Sequence, residues 1–264
     1  MKSVSIDALR RCVNEACELV NEMLNQPMNH WRKADSSPVT DIDLAVDTLL
    51  RDRLLPLAPD AGWLCEESPA DDERLQRERV WVVDPIDGTR SLLDGHPEFC
   101  VSVALVVRDV GPVMGVIQNP STMEQFWAVR GGGAWRGQRR LSVAQQTGPL
   151  RWLVSRSERA RGQWHKPPGP GSFEVAGGLA WKMALVAAGQ FHGTVTPWPR
   201  SEWDAAAGSL LVEEAGGRCT DGRFRPLRWN QPDPTFHGIV CAAESVWHHA
   251  ERLSRWSDGE IQPC

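Results

Sequence analysis

A chain of 264 residues is long enough for one large domain, or for two tightly joined halves, with a sizeable core. Its composition (41% hydrophobic, 24% charged) is that of an ordinary globular protein, and its net charge of −5 argues against a nucleic-acid binder, which needs a basic face. The seven cysteines show no CxxC spacing, and most lie in apolar stretches. We therefore expect buried free thiols in a reducing cytoplasm, and neither export nor membrane insertion.

Hydrophobic periodicity predicts two helices at the start of the chain, over residues 5–25 and from the N-cap Thr40 to Leu54. Strands are then expected at 61–65, 79–83, 99–107, 112–118, 124–129 and 150–155. A loop rich in proline and glycine at 166–171 precedes helices at 178–189 and 203–215, strands at 190–196 and 237–242, and a last helix from 245. This order favours a layered α/β sandwich over a purely parallel, doubly wound fold.

The most informative segment is 80–90, where an apolar strand ends in Asp84, Pro85 and, three residues after the first acid, Asp87. Two carboxylates fixed at the end of a buried strand repel each other, so their placement indicates a cation between them. Glu66 and Glu67 follow another apolar stretch, and Asp204 lies near the start of an alanine-rich helix. Oxygen ligands of this kind suit Mg²⁺ or Mn²⁺ better than Zn²⁺.

Directly after these acids, Gly88 and Thr89 offer backbone amides where a short helix can begin over 90–93, a position suited to a phosphate. The alternative is that Asp-Pro and Asp-Gly only mark a surface turn. Another phosphatase class, the haloacid dehalogenases, has two acids two residues apart, whereas Asp84 and Asp87 are three apart. Asp204 also has the spacing from Ser201 that is typical of a helix capping box. The whole pattern favours a magnesium-dependent phosphatase.

Three motifs resemble those of the inositol monophosphatase superfamily, over about residues 36–244. They are Asp84-Pro85-Ile86-Asp87-Gly88-Thr89, the preceding Glu66-Glu67-Ser68, and the later Trp203-Asp204-Ala205-Ala206-Ala207-Gly208. The resemblance implies an α+β fold, a layered α-β-α-β-α sandwich with a largely antiparallel first sheet. It also implies metal-dependent hydrolysis of phosphomonoesters with two or three Mg²⁺ ions, for which Mn²⁺ can substitute, and inhibition by lithium.

The same resemblance implies a role for each matching residue. One Mg²⁺ would be held by Glu66, Asp84 and the Ile86 carbonyl, and a second by Asp84, Asp87 and Asp204. Glu67 would reach a metal directly or through water, and Asp43 with Thr89 would orient the attacking water. The amides of Gly88 and Thr89 would receive the phosphate oxygens.

Two branches of the superfamily compete for the substrate. Inositol phosphatases usually carry an acid seven residues before the last metal aspartate, and that position is Pro197 here. Similarity to the 3'(2'),5'-bisphosphate nucleotidases is found instead at residues 154–157, Lys182 and 226–230. Residues 178–180, however, lack the two serines that this branch tends to have. Arg156, Lys182 and Arg200 could bind a second phosphate. We predict hydrolysis of 3'-phosphoadenosine 5'-phosphate to AMP; the alternatives are an inositol-1-monophosphatase, a broad sugar-phosphate phosphatase or an inactive binding relative.

The remaining predictions concern organisation and partners. An N-terminal half, residues 1–145, would carry most metal ligands, and a C-terminal half, 146–264, would carry Asp204 and the substrate contacts, in one compact catalytic unit. We expect a small phosphorylated substrate and no nucleic-acid polymer or membrane as partner, and both a monomer and a homodimer remain open. The charged run 71–79 is expected to form a solvated, mobile loop.

Overall fold

Two β-sheets and the helices around them form the structure, a computed structural model that describes residues 4–34, 37–69, 71–164, 167 and 171–257. The helices are α1 Ile6–Leu24, α2 Asp41–Leu54, α3 Thr89–Leu93, α4 Arg156–Ala160, α5 Leu179–Ala187, α6 Glu202–Glu214 and α7 Trp247–Ser257. Within the described part of the chain, no helix combines the length and the apolar character that crossing a bilayer requires.

The strands belong to two large sheets and two short pairs. They are β1 His30–Arg32, β2 Pro38–Thr40, β3 Gly62–Cys65, β4 Arg79–Asp87, β5 Cys100–Val107, β6 Gly111–Gln118, β7 Gln125–Val129, β8 Gly133–Arg136, β9 Arg139–Arg140, β10 Leu150–Ser155, β11 Gly171–Ala176, β12 Gly193–Thr196, β13 Arg200–Ser201, β14 Gly217–Asp221, β15 Thr235–Phe236 and β16 Ile239–Ala243. The seven-stranded sheet has the order β3-β4-β5-β6-β7-β8-β9, and all its pairs are antiparallel except β3 with β4.

The five-stranded sheet has the order β11-β10-β12-β16-β14, parallel across its first three strands and antiparallel across the rest. Helices α1 and α2 cover one face of the larger sheet, α5 and α6 lie between the two sheets, and α7 packs on β12 and β16. The layers therefore run α-β-α-β-α, which confirms the α+β sandwich with a largely antiparallel first sheet. The division of the chain at residue 145 stays a prediction.

Most predicted elements are present, and the differences have local causes. The strand expected at 190–196 begins only at Gly193, because the chain makes a turn at Gly189 with positive φ. The short strand β8 and the edge strands β9, β11 and β14 were not predicted. The loop expected at 166–171 lies outside the described residues except at 167 and at Gly171, where β11 begins. Edge strands are short and partly polar, so their sequences carry little apolar periodicity.

The prediction of a solvated loop over the charged run 71–79 was wrong at Arg74. This side chain is only 1% exposed and lies in a 3₁₀-helix over Asp72–Gln76. Its guanidinium donates to Asn230 Oδ1 at 2.6 Å and to the Gln231 carbonyl at 2.9 Å. These partners, which are distant in the sequence, fix the segment around Arg74, and no pattern in the local sequence predicts them.

Candidate active site

The acids of strand β4 lie where that strand leaves its regular pairing. Asp84 lies opposite Ser102 and Asp87 opposite Cys100, so β4 has one more residue than β5 between these pairs. Proline has no N–H to give to a ladder, which is why Pro85 is compatible with this irregularity and not with a continuous strand. The extra residue redirects the chain, and both acids line the same cleft, whose volume is about 550 Å³.

A second and a third element bring further acids to Asp84. Glu66 follows β3, the parallel neighbour of β4, and Asp204 stands in the first turn of α6. Ligand oxygens of Glu66, Asp84 and Asp204 all lie within 4.8 Å of one another. Asp204 also accepts the Ser201 backbone N–H at 2.8 Å, so the capping box and the acidic cluster use the same side chain.

This three-acid cluster is electrostatically unfavourable without a cation. Burial, followed by the charge of Glu66, raises the pKa of Asp84 well above its ordinary value. Burial and the charge of Asp204 raise the pKa of Glu66 to about 7, and burial and the charge of Asp87 raise that of Asp204 to about 6. In addition, Asp84 Oδ1 is buried and receives no hydrogen bond from the described residues. Buried polar atoms normally have a partner, so this oxygen indicates a ligand.

Asp87 lines the cleft beside this cluster, but the three-acid group does not include it. Its two oxygens accept the backbone N–H groups of Leu179 at 2.9 Å and Trp181 at 3.2 Å, at the start of α5. Gly178 makes this approach possible, since its φ is +61° and a Cβ atom there would lie 2.6 Å from Asp87 Oδ2. A metal role for Asp87 stays a prediction.

The predicted pair Asp43 and Thr89 is in direct contact. Thr89 Oγ1 donates to Asp43 Oδ1 at 3.0 Å, and the Ile86 carbonyl is a second acceptor at 3.1 Å. The other oxygen of Asp43 accepts the backbone N–H of Thr40 at 2.8 Å and the hydroxyl of that residue at 2.5 Å, which confirms the predicted capping box. Asp43 is therefore fixed by the first turn of α2, and it presents an acceptor oxygen to the Thr89 hydroxyl.

Sequence reasoning missed Lys33, which contacts both members of the glutamate pair. Its Nζ lies 2.9 Å from Glu66 Oε1 and 2.7 Å from Glu67 Oε1. Glu67 thus faces this lysine, and burial raises its pKa to about 7. Because Lys33 lies in a polar stretch without periodicity, no pattern in the sequence connects it to residues more than thirty positions away.

Four arginines line the same cleft, namely Arg156 and Arg200, for which substrate binding stays a prediction, together with Arg90 and Arg161. Glu98 holds Arg156 at 2.9 Å, and the fully buried Glu158 holds Arg200 at 3.1 Å.

Lys182, the third predicted cation, is buried instead of lining the cleft. Its Nζ donates to Ser155 Oγ at 2.7 Å, and Ser155 does line the cleft. Burial lowers the pKa of Lys182 to about 8. This residue can therefore act on a ligand through Ser155 and through its charge, rather than by direct contact.

Comparison with known proteins shows what this chain is similar to. The family model described as the inositol monophosphatase family matches residues 2–257. The chain is 35% identical over 208 residues to the 3'(2'),5'-bisphosphate nucleotidase CysQ of Shigella flexneri, covering 76% of this chain and 83% of the relative. It is also 35% identical over 234 residues to the inositol-1-monophosphatase of Rhizobium meliloti, covering 81% of each. The crystal structure of the extragenic suppressor protein SuhB from Bartonella henselae superposes with a TM-score of 0.82 at 26% identity, covering 96% of this chain and 99% of that one.

Proposed function

From the premise that the chain belongs to the inositol monophosphatase family and is a metal-dependent phosphomonoesterase, we propose that it is a 3'(2'),5'-bisphosphate nucleotidase. Its substrate would be 3'-phosphoadenosine 5'-phosphate, which it would convert to AMP and inorganic phosphate. The observation that carries this proposal is that one cleft is lined both by the three-acid cluster and by four arginines.

The three-acid cluster fits magnesium. Its donors are carboxylate oxygens, the type that Mg²⁺ prefers, and one of them, Asp84 Oδ1, is buried and receives no hydrogen bond from the described residues. In our proposal Glu66, Asp84 and the Ile86 carbonyl would hold one Mg²⁺, while Asp84 with Asp87 and Asp204 would hold another. A third ion near Glu67, or Mn²⁺ in place of Mg²⁺, is compatible with the same ligands. When bound, such ions supply positive charge that polarises the phosphate ester and favours ionisation of water.

The residues around this cluster provide orientation and proton handling. Because the Thr89 hydroxyl donates to Asp43, its oxygen lone pairs remain available to accept a proton from an attacking water. The Asp43 carboxylate can then stabilise the proton that Thr89 passes on. The backbone N–H groups of Gly88 and Thr89, at the start of α3, are proposed to bind the phosphate oxygens.

The arginines of the cleft are what a second phosphate needs. A phosphomonoester of inositol carries one phosphate, which the ions held by the three-acid cluster would take. Arg156, Arg161 and Arg200 line the same cleft, and planar guanidinium groups bind phosphate through two parallel hydrogen bonds. Arg156 Nε is moreover buried and has no hydrogen-bond partner among the described residues, so it has a donor to offer.

An inositol phosphate is the second candidate substrate. It is supported by the Rhizobium meliloti relative and by Asp94, an exposed acid on the cleft wall that could accept hydrogen bonds from sugar hydroxyls. The position seven residues before Asp204 is Pro197, whose side chain neither donates nor accepts hydrogen bonds. We therefore rank this candidate below the nucleotide.

A substrate panel with and without Mg²⁺ tests the proposal. We expect a higher kcat/KM for 3'-phosphoadenosine 5'-phosphate than for inositol 1-phosphate. Arg156→Gln and Arg200→Gln should each lower that value by roughly 10–100-fold for the bisphosphate, the cost of losing a charge-assisted hydrogen bond, and much less for inositol 1-phosphate. Arg159→Gln is the matched control, because Arg159 lies exposed on the same helix as Arg156 and outside the cleft lining. Equal or faster turnover of inositol 1-phosphate would overturn the nucleotide assignment.

The surroundings of the enzyme follow from the same proposal. Its partner would be a small phosphorylated metabolite, and neither a nucleic-acid polymer nor a membrane. We place it in the cytoplasm, because the six described cysteines are buried free thiols, which a reducing compartment preserves.

A further inference from the structure

Two cysteines face each other across neighbouring strands of the five-stranded sheet. Cys219 of β14 and Cys241 of β16 are direct register partners, and their Sγ atoms are 2.7 Å apart. Carbon atoms in van der Waals contact stay about 3.5–4.0 Å apart, and sulfur is larger than carbon, whereas a disulfide bond measures about 2.05 Å. The two thiols are therefore held close to bonding distance by the register of the sheet.

We propose that Cys219 and Cys241 are a reversible oxidation site that forms an intramolecular disulfide with a small-molecule disulfide as the oxidant. Both S–H bonds break, and one S–S bond forms between the two strands. The two protons and two electrons pass to the small disulfide, whose own S–S bond breaks to give two free thiols. Excess small thiol reverses the reaction by the same exchange.

Contacts of the other cysteines distinguish this pair. The thiols of Cys17, Cys65 and Cys100 have oxygen atoms as partners, namely a backbone carbonyl for the first and aspartate carboxylates for the other two. Cys219 and Cys241 have each other. Proximity of two sulfurs, rather than the reactivity of one, is what selects this pair for oxidation.

The position of β14 provides access to the buried thiols. Cys219 is 8% exposed and Cys241 fully buried, and burial raises the pKa of Cys219 well above its ordinary value, so thiolate is scarce in the closed protein. However, among the strands that the structure describes, β14 lies at the edge of its sheet and pairs only with β16. Local opening of an edge strand costs less than global unfolding. We therefore expect oxidation over minutes to hours, at a rate set by that opening.

A disulfide between Cys219 and Cys241 would also restrict the motion of the segment between the two residues. The two cysteines are 22 positions apart, and the enclosed chain carries β15 and the residues that hold Arg74. Closing a loop of this size stabilises a protein mainly by restricting its unfolded state. For a chain of this length we expect the oxidised protein to melt about 5 °C or more above the reduced one.

Mass mapping of the full chain after redox equilibration tests the site directly. Reduced protein is incubated with graded ratios of oxidised to reduced glutathione, quenched in acid, alkylated and digested with trypsin. Cleavage places Cys219 in peptide 219–223 and Cys241 in peptide 229–252, so only a disulfide can join them. We expect that joined pair, lighter by two hydrogens than its separate parts, to appear with time and to disappear on adding reduced glutathione.

Variants separate this disulfide from general thiol oxidation. Cys241→Ala should remove both the joined peptides and the rise in Tm under oxidising conditions, whereas Cys12→Ala, at a buried cysteine of α1, should keep both. The proposal is wrong if the native protein gives no joined pair at ratios where its peptides become glutathionylated elsewhere. It is equally wrong if the pair forms only after denaturation. Mass mapping of the wild-type chain tests the proposal even if a variant fails to fold.

Discussion

Replacing Asp84 with asparagine separates the stability of the fold from the function of the site. Asp84 is 1% exposed, and its ligand oxygens lie within 4.8 Å of those of Glu66 and Asp204. At an effective dielectric constant of about 20, two full negative charges at that distance repel each other by about 3.5 kcal/mol. Asparagine keeps the size of the side chain, removes its charge and adds an N–H₂ group that can donate to the neighbouring carboxylates.

The metal-free protein should consequently become more stable. Protonation already relieves part of the repulsion, so we expect a gain of about 2–4 kcal/mol, or a rise in Tm of about 5–10 °C. Activity should fall by at least about 10³-fold, because the variant loses a ligand for the cation that stabilises the transition state. Stability and activity would thus change in opposite directions.

Thermal melts with a chelator and with Mg²⁺ measure both effects. Magnesium at about 100 times its dissociation constant should stabilise the wild-type protein by about 2.7 kcal/mol and leave Asp84→Asn nearly unchanged. Asp72→Asn, at an exposed acid, serves as the control and should behave like wild type in every assay. A metal-free Asp84→Asn protein that melts below wild type, yet still gains stability from Mg²⁺, would refute the electrostatic account of the cluster.

Two further predictions concern pH and the buried arginine. Since burial raises the pKa of both Glu66 and Glu67 to about 7, the folded protein binds more protons than the unfolded chain between about pH 4.5 and 7. The stability of the metal-free protein should therefore fall as the pH rises through that window, and Mg²⁺ should make this pH dependence weaker. Urea titrations at several pH values measure the trend, and a stability that rises with pH in the window would contradict the prediction. Arg74→Met should cost about 2–4 kcal/mol in urea denaturation, because it leaves Asn230 Oδ1 without its donor. Arg77→Met, at an exposed arginine of the same run, should cost less than about 0.5 kcal/mol.

Sequence patterns predicted the long central strands and the amphipathic helices because each of these elements buries a continuous apolar face. The segment from Asp84 to Thr89 was equally informative, since its acids, proline and glycine each restrict the backbone in a different way. Lys33 and Arg74 could not be found by the same reasoning. Each depends on a partner at least thirty positions away, and neither stands in a periodic pattern.

The motif around Asp204 shows how packing and chemistry share one stretch of sequence. Only its aspartate reaches the acidic cluster; the following alanines and Gly208 are buried in the layer between the two sheets. A Cβ atom at Gly208 would lie 2.8 Å from Cβ of Met183 in α5, and one at Gly115 of β6 would lie 3.0 Å from Cα of Ala207. Larger side chains on either side would push α6 away from its neighbours. Because Asp204 stands in the first turn of that helix, such a shift would separate it from Glu66 and Asp84. The small residues therefore act as positioning elements for a ligand that they do not touch.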